Sequence, residues 1–193
     1  MLKRGRTQLL FKNLHLHNIK RIRKYLSRES TEMLVHAFIT SRVDFCNSPL
    51  YGLPNYNYQL NKLQRVLNAS ARLVCNASRF CHISPLLHGL HWLPVKPRIE
   101  FKILLITFKA IHSLAPKYLC DLLTFKSSLY NLRSSDSILL SMPAAQSKLL
   151  GDRAFMVAAP RLWNSLPIEL REITNVNSFK AHIKTYLFKT LYW

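Results

Sequence analysis

Between Leu60 and Val74 apolar residues recur every three to four positions, as Leu60, Leu63, Leu67 and Val74, with Ser70 the one polar interruption. Such spacing suits one face of an α-helix and no β-strand, and it predicts a helix over residues 56 to 78. The opposite edge carries Asn61, Arg65, Asn68, Arg72, Asn76 and Arg79 within a narrow arc. On one unbroken helix, Arg65, Arg72 and Arg79 stand about 10 Å apart along a line. Arginine forks and asparagine amides suit phosphate oxygens and sugar hydroxyls. No acid occurs from Phe45 to Ile99, so these arginines have no carboxylate partner nearby in sequence. A solvated helix face and a phosphate-binding surface fit the pattern equally well.

The charge of the whole chain tilts that balance. Its 193 residues hold 28 Lys and Arg against 9 acids, a formal charge of +19. Such an excess attracts nucleic acid or anionic lipid and costs self-repulsion in the compact state. Nucleic acid is the favoured partner on charge alone. An apolar content of 49% argues against disorder and leaves material for a sizeable core. The first 28 residues hold Lys3, Arg4, Arg6, Lys12, Lys20, Arg21, Arg23, Lys24 and Arg28 and no acid. An Arg-rich, acid-free start also suits a transit peptide, but Lys20-Arg-Ile-Arg-Lys-Tyr-Leu26 looks more like the edge of a folded unit. The four cysteines are widely spread and no secretory signal is evident, so reduced thiols are expected. Lys102, Lys109 and His112 interrupt the best apolar run, so no membrane span is expected. The expected setting is intracellular, nucleus or cytoplasm.

Three further segments set the architecture. Ser27 can cap a helix with Glu29 and Glu32 in its first turn, placing Leu34, Phe38 and Phe45 on one face up to the turn cluster Asn47–Pro54. Pro94 and Pro97 stand at the start of another helix, whose Phe101, Leu104, Phe108 and Ile111 build an apolar surface. Arg98, Lys102, Lys109 and His112 border that surface, making it core helix first and anion surface second. Residues 137–143 suggest a short strand, and 151–160 a turn and extended run, with Pro160 opening a short helix around Trp163 that Pro167 closes. Trp163 and Phe155 are expected in the core rather than as base-stacking platforms. A last helix starts at Asn175 or Asn177 and buries Phe179, Ile183 and Leu187, with Lys180 and Lys184 outside. The fold class is therefore mainly α, a helical bundle with a small irregular or short-strand segment around residues 137–160. Its expected parts are a basic segment (1–26), a helical bundle (27–120) and a C-terminal segment (121–193).

The catalytic inventory is thin. Glu29 with Glu32 and Glu169 with Glu172 are the close acidic pairs, and each is explained by a helix start or a solvated turn. Two-metal phosphoryl transfer needs clustered carboxylates, and no Asp-Asp pair exists. Four glycines leave little for phosphate-cradling loops. Cys75, Cys81, His82, His88 and His91 lack the compact knuckle of a zinc site. His82 and His91 are expected to serve the corner as hydrogen-bonding groups. No catalytic residue, metal or cofactor is assigned.

Several segments carry a resemblance. These are IRKYLSRESTEMLVHAFITSRVDFCNSPLYGLP, KLQRVLNASARLV, LHWLPVKPRIEFKILLITFKAIHSLAPKYL, GDRAFMVAAPRLWNSLPIELR and SFKAHIKTYLF. Together they resemble the C-terminal region of LINE-type, jockey-like non-LTR retrotransposon reverse transcriptases, over about Leu14 to Phe188. The resemblance implies the thumb and the region after it, with the polymerase palm and its paired aspartates lying upstream of the matched segments. It implies a fragment that binds RNA or an RNA–DNA hybrid through phosphate contacts and is inactive as a polymerase alone, with palm and fingers as its missing partners. It also implies that Leu90-His-Trp-Leu-Pro-Val95 is a structural corner packed by Trp92. The residues expected to hold nucleic acid are Arg65, Arg72 and Arg79, then Arg23, Lys24, Arg98 and Lys102. A structural remnant without its own activity and a peripheral binder of anionic membranes are the alternatives.

Overall fold

A computed structural model describes residues 14–45, 47–52, 56–126, 138–143 and 154–192. Lys3, Arg4, Arg6, Lys12, Pro54, Ser137 and residues 151–153 lie outside these. The protein is mainly helical, as expected. It divides into two units, the first made of Met1–Asn47 and Asn57–Lys96, the second of Ser48–Tyr56 and Pro97–Trp193. Among the described residues no helix is long and apolar enough to cross a membrane.

The first unit begins with α1 (residues 14–22) and a tight turn at Arg23–Tyr25. Ser27 then caps α2 (Arg28–Val35), its Oγ accepting the Ser30 N–H at 3.1 Å. The Glu29 carboxyl is held below its ordinary range, first by its own backbone N–H and then by the Ser27 hydroxyl. A wide π-type turn at His36–Thr40 joins α2 to α3 (Ser41–Asp44). Thr31, Val35, Ile39 and Val43 are buried at three successive steps of four, with Thr40 buried beside Ile39. In a regular α-helix each such step overshoots by about 40°, and the wide turn absorbs the drift. The expected face of Leu34, Phe38 and Phe45 is displaced by that turn, leaving Phe38 and Phe45 exposed.

Helix α4 (Tyr56–Val74) buries Leu60, Val66, Leu67, Ala71 and Val74. Ser70 is accommodated because its hydroxyl donates to the Val66 carbonyl at 2.9 Å. The helix stops four residues before the expected 78. Asn76 takes a left-handed φ of 49°, the Ala77 N–H reaches back to the Arg72 carbonyl at 2.9 Å, and the Asn76 N–H to Leu73 at 3.4 Å. This closes off the last carbonyls without glycine, at a residue type that tolerates the left-handed region. Helix α5 (Ile83–Gly89) ends the same way on His91 (φ 52°), with Trp92 N–H donating to Leu87 at 2.9 Å. Helix α6 (Val95–Ile111) does so on Ser113 (φ 56°), with Leu114 N–H donating to Lys109 at 2.7 Å.

Trp92 is buried at the corner before α6, and its indole N–H donates to Glu32 Oε1 at 3.2 Å. The same oxygen stands 3.4 Å from His36 Nε2, whose ring lies 5.2 Å from that of Trp92. Pro94 and Pro97 flank the first residues of α6, where a missing N–H costs least. The Val95 N–H at that end donates to Gln64 Oε1 at 2.8 Å. His82 and His91 are both exposed. His82 gives α5 no side-chain cap, and His91 brings a left-handed backbone to the corner.

The second unit holds the rest of α6, which buries Ile99, Ile103, Leu104 and Phe108. It continues through α7 (Lys117–Cys120), α8 (Phe155–Asn164), α9 (Ile168–Arg171) and α10 (Val176–Tyr192). Phe108 stacks on Phe179 with ring centroids 4.3 Å apart, and Trp163 lies 5.8 Å from Phe179. In place of the expected strand, Leu140 forms a single antiparallel bridge with Phe125. Asn164 then imitates a strand partner: Nδ2 donates to the Leu140 carbonyl at 2.8 Å while Oδ1 accepts its N–H at 2.9 Å. Trp163 Nε1 donates to the Ile138 carbonyl at 2.8 Å.

Helix α8 starts at Phe155, five residues before the expected Pro160, so 155–160 is helical and not extended. Pro160 lies inside it and forfeits one ladder bond. The helix survives because Ala158 and Ala159 favour it and because Val157, Ala158, Ala159, Pro160 and Trp163 are buried together. Pro167 serves as the N-cap residue of α9. The last helix matches its expectation in cap and face. Asn175 Oδ1 accepts the N–H groups of Asn177 and Ser178 at 2.9 and 3.1 Å, and Phe179, Ile183 and Leu187 are buried.

Candidate nucleic-acid interface

The first unit carries a cleft of about 700 Å³ whose walls come from two separate stretches of chain, residues 16–24 and 69–79. Helix α1 supplies Leu16 and Lys20, the turn after it Arg23 and Lys24, α4 supplies Ala69, Arg72 and Leu73, and the connection beyond supplies Asn76, Ala77 and Arg79. Among the described residues, five cations and no acid line it. Neutral and cationic side chains share the lining, a chemistry suited to an anion that brings apolar or aromatic surface with it.

The cations are not equivalent. Arg23 is committed to the fold, donating from Nε to the Leu73 carbonyl at 3.0 Å, from Nη2 to Val74 at 3.2 Å and from Nη1 to Leu26 at 2.8 Å. It thus takes up orphan carbonyls of the last turn of α4, where the helix dipole also favours a cation. Arg72 donates from Nη2 to the Cys81 carbonyl at 3.1 Å, while its Nε is buried with no hydrogen-bond partner. Lys20, Lys24 and Arg79 are exposed. Lys24 Nζ sits 4.7 Å from the centre of the Tyr25 ring, and the Arg79 guanidinium 4.6 Å from that of Phe80. Burial pushes the Cys75 thiol up, so next to Asn76 it stays neutral and adds no charge at physiological pH.

Of the residues expected to hold nucleic acid, Arg23, Lys24, Arg72 and Arg79 line this one cleft. Arg79 arrives there by the left-handed turn at Asn76 and not by the helix, so the line of three arginines does not exist as drawn. Arg65 is exposed on α4 and is not among the lining residues. Arg98 and Lys102 belong to the second unit, half-buried on α6. Lys20 was not anticipated. Its signal is the spacing of Lys20, Arg23 and Lys24, three and four apart, which collects them on one side of a helix prolonged by the turn.

Trp163 is fully buried and Phe155 half-buried, neither being exposed. The exposed rings beside the cleft are instead Tyr25 and Phe80, each next in sequence to a lining cation. Among the described residues no group of three His, Cys, Asp or Glu side chains is placed to hold a metal ion. Comparison of the chain with protein-family models, curated proteins and solved structures returned no match.

Proposed function

We propose that this chain binds RNA through its phosphate backbone, in the cationic cleft of the first unit. We further propose that it does so as the thumb-and-after portion of a LINE-type, jockey-like non-LTR reverse transcriptase, holding RNA or an RNA–DNA hybrid. The observation that carries the binding reading is the lining itself: five cations without one carboxylate in about 700 Å³. Like charges drawn together in this way repel one another, and an anion in the cleft relieves that repulsion. The polymerase assignment rests on the resemblance of the quoted segments.

The test is fluorescence anisotropy of the folded chain with a structured RNA across a salt series. A slope of log affinity against log salt of about −2 to −5 is expected, corresponding to roughly three to six displaced counterions. Charge reversal at Lys20, Arg72 and Arg79 together is expected to weaken binding at least tenfold and to flatten that slope. A folded protein that binds no RNA at low salt is a structural remnant, and the binding proposal is then wrong. Capture by anionic vesicles that added RNA does not displace assigns the charge to a membrane surface instead.

A further inference from the structure

The cleft has a second chemical character besides its charge. Tyr25 and Phe80 are 77% and 79% exposed, in a unit that buries Trp92 completely enough to leave it 3%. The unit also exposes Phe38, Phe45 and Tyr58, but Tyr25 and Phe80 are the most exposed of the five, and large rings left in water run against the hydrophobic effect. Each ring follows a cation of the cleft wall in sequence and is held against it, Tyr25 by Lys24 at 4.7 Å and Phe80 by Arg79 at 4.6 Å. Such contacts attach each ring to the rim by one face. An alternation of cation and exposed ring on both sides of an acid-free cleft is the pattern that grips unpaired nucleotides, with cations on phosphates and rings on bases.

We infer that the cleft takes single-stranded nucleic acid in preference to duplex, with Tyr25 and Phe80 as stacking platforms for unpaired bases. This rests on the phosphate-binding reading above and narrows its ligand. Two physical points favour the single strand. A duplex keeps the faces of its bases covered by their neighbours, so the rings gain nothing from it except at an end. The volume of about 700 Å³ falls within the range of clefts that seat small molecules, which suits nucleotides entering singly or in pairs. The ligand class is unpaired RNA or DNA. Stacking on the base does not distinguish the two sugars, whereas a 2′-hydroxyl contact does.

The experiment measures anisotropy of the full chain with three labelled probes: a uridine dodecamer, the corresponding deoxythymidine dodecamer, and a blunt 12-base-pair duplex. Tyr25→Ala with Phe80→Ala is expected to weaken both single strands tenfold or more and the duplex less than twofold, since stacking is lost and charge is kept. Tyr25→Phe with Phe80→Tyr, which keeps both rings, is expected to leave all three within twofold. Both sites are so exposed that folding is not at stake, and circular dichroism checks this directly. Charge reversal at Lys20, Arg72 and Arg79 weakens all three probes. If the alanine pair weakens duplex and single strands equally, or weakens neither, the stacking inference is overturned while the phosphate reading stands. If charge reversal moves none of the probes, the phosphate reading itself falls. Tighter binding of the uridine than of the deoxythymidine dodecamer by the unsubstituted chain supports RNA as the ligand.

Discussion

In the second unit, the Asn164 amide pairs with both backbone groups of Leu140 and the Trp163 indole N–H finds the Ile138 carbonyl, while His112 Nε2 and Arg171 Nη1 stay buried without a partner. In the first unit, polar groups of the cleft stop short of closure. Arg23 donates to three carbonyls, but Arg72 leaves a buried N–H unmet, and among the described residues Lys20, Lys24 and Arg79 line a cleft without acids. One unit is organised around the Phe108–Phe179–Trp163 cluster; the other packs Val35, Ile39, Leu67, Val74 and Trp92 and also carries the cationic cleft. The difference shows that net charge by itself says little. What distinguishes a structural cation from an available one is whether backbone carbonyls have already claimed it, and Arg23 and Lys20 in the same cleft stand at the two extremes.

Four variants sharpen or break this contrast. Trp163→Ala removes a fully buried indole and is expected to cost about 3–5 kcal/mol, read from the denaturation midpoint. A loss under about 1 kcal/mol would mean the aromatic cluster is not what holds the second unit together. Arg23→Ala strips the end of α4 of its donors and is expected to cost about 1–3 kcal/mol, with faster amide exchange near Val74. Lys20→Gln is expected to change stability by under about 0.5 kcal/mol and yet weaken RNA binding, with the salt slope shallower by roughly 0.7 to 0.9. Were Lys20→Gln as destabilising as Arg23→Ala, the division between claimed and available cations would collapse. Ser113→Gly is expected to stabilise by about 0.5–1 kcal/mol in thermal melts, because glycine meets the left-handed φ of 56° without strain.

Much of the helical layout was legible. The last helix could be drawn from Asn175, Phe179, Ile183 and Leu187 because its cap is local and its apolar period is the regular one. The end of α4 was not, because the pattern Asn68, Arg72, Asn76, Arg79 continues smoothly past a residue whose backbone turns left-handed, and periodicity carries no information about that φ. Helix α8 was missed at its start because proline inside a helix is penalised locally and rescued only by burial of its neighbours. In the site, Arg72 and Arg79 were expected together for the wrong geometric reason. The role of Arg23 as a cap depends on carbonyls some fifty residues away, which no local pattern contains. Tyr25 and Phe80 passed unnoticed because exposure of a ring is a property of the folded chain.

The wide turn at His36–Thr40 has a bearing on chain length. Thr31, Val35, Ile39 and Val43 keep one buried face at steps of four only because the turn holds one residue more than an α-helix would use. Removing a single exposed residue there, Ala37, would shorten the steps to four, three and four, the rhythm of an ordinary helix, with the same side chains still facing inward. Most one-residue deletions in a helix rotate everything downstream by about 100° and scramble the core. Here the fold stores a spare residue, and this is the point at which a deletion can pass without loss of the core face.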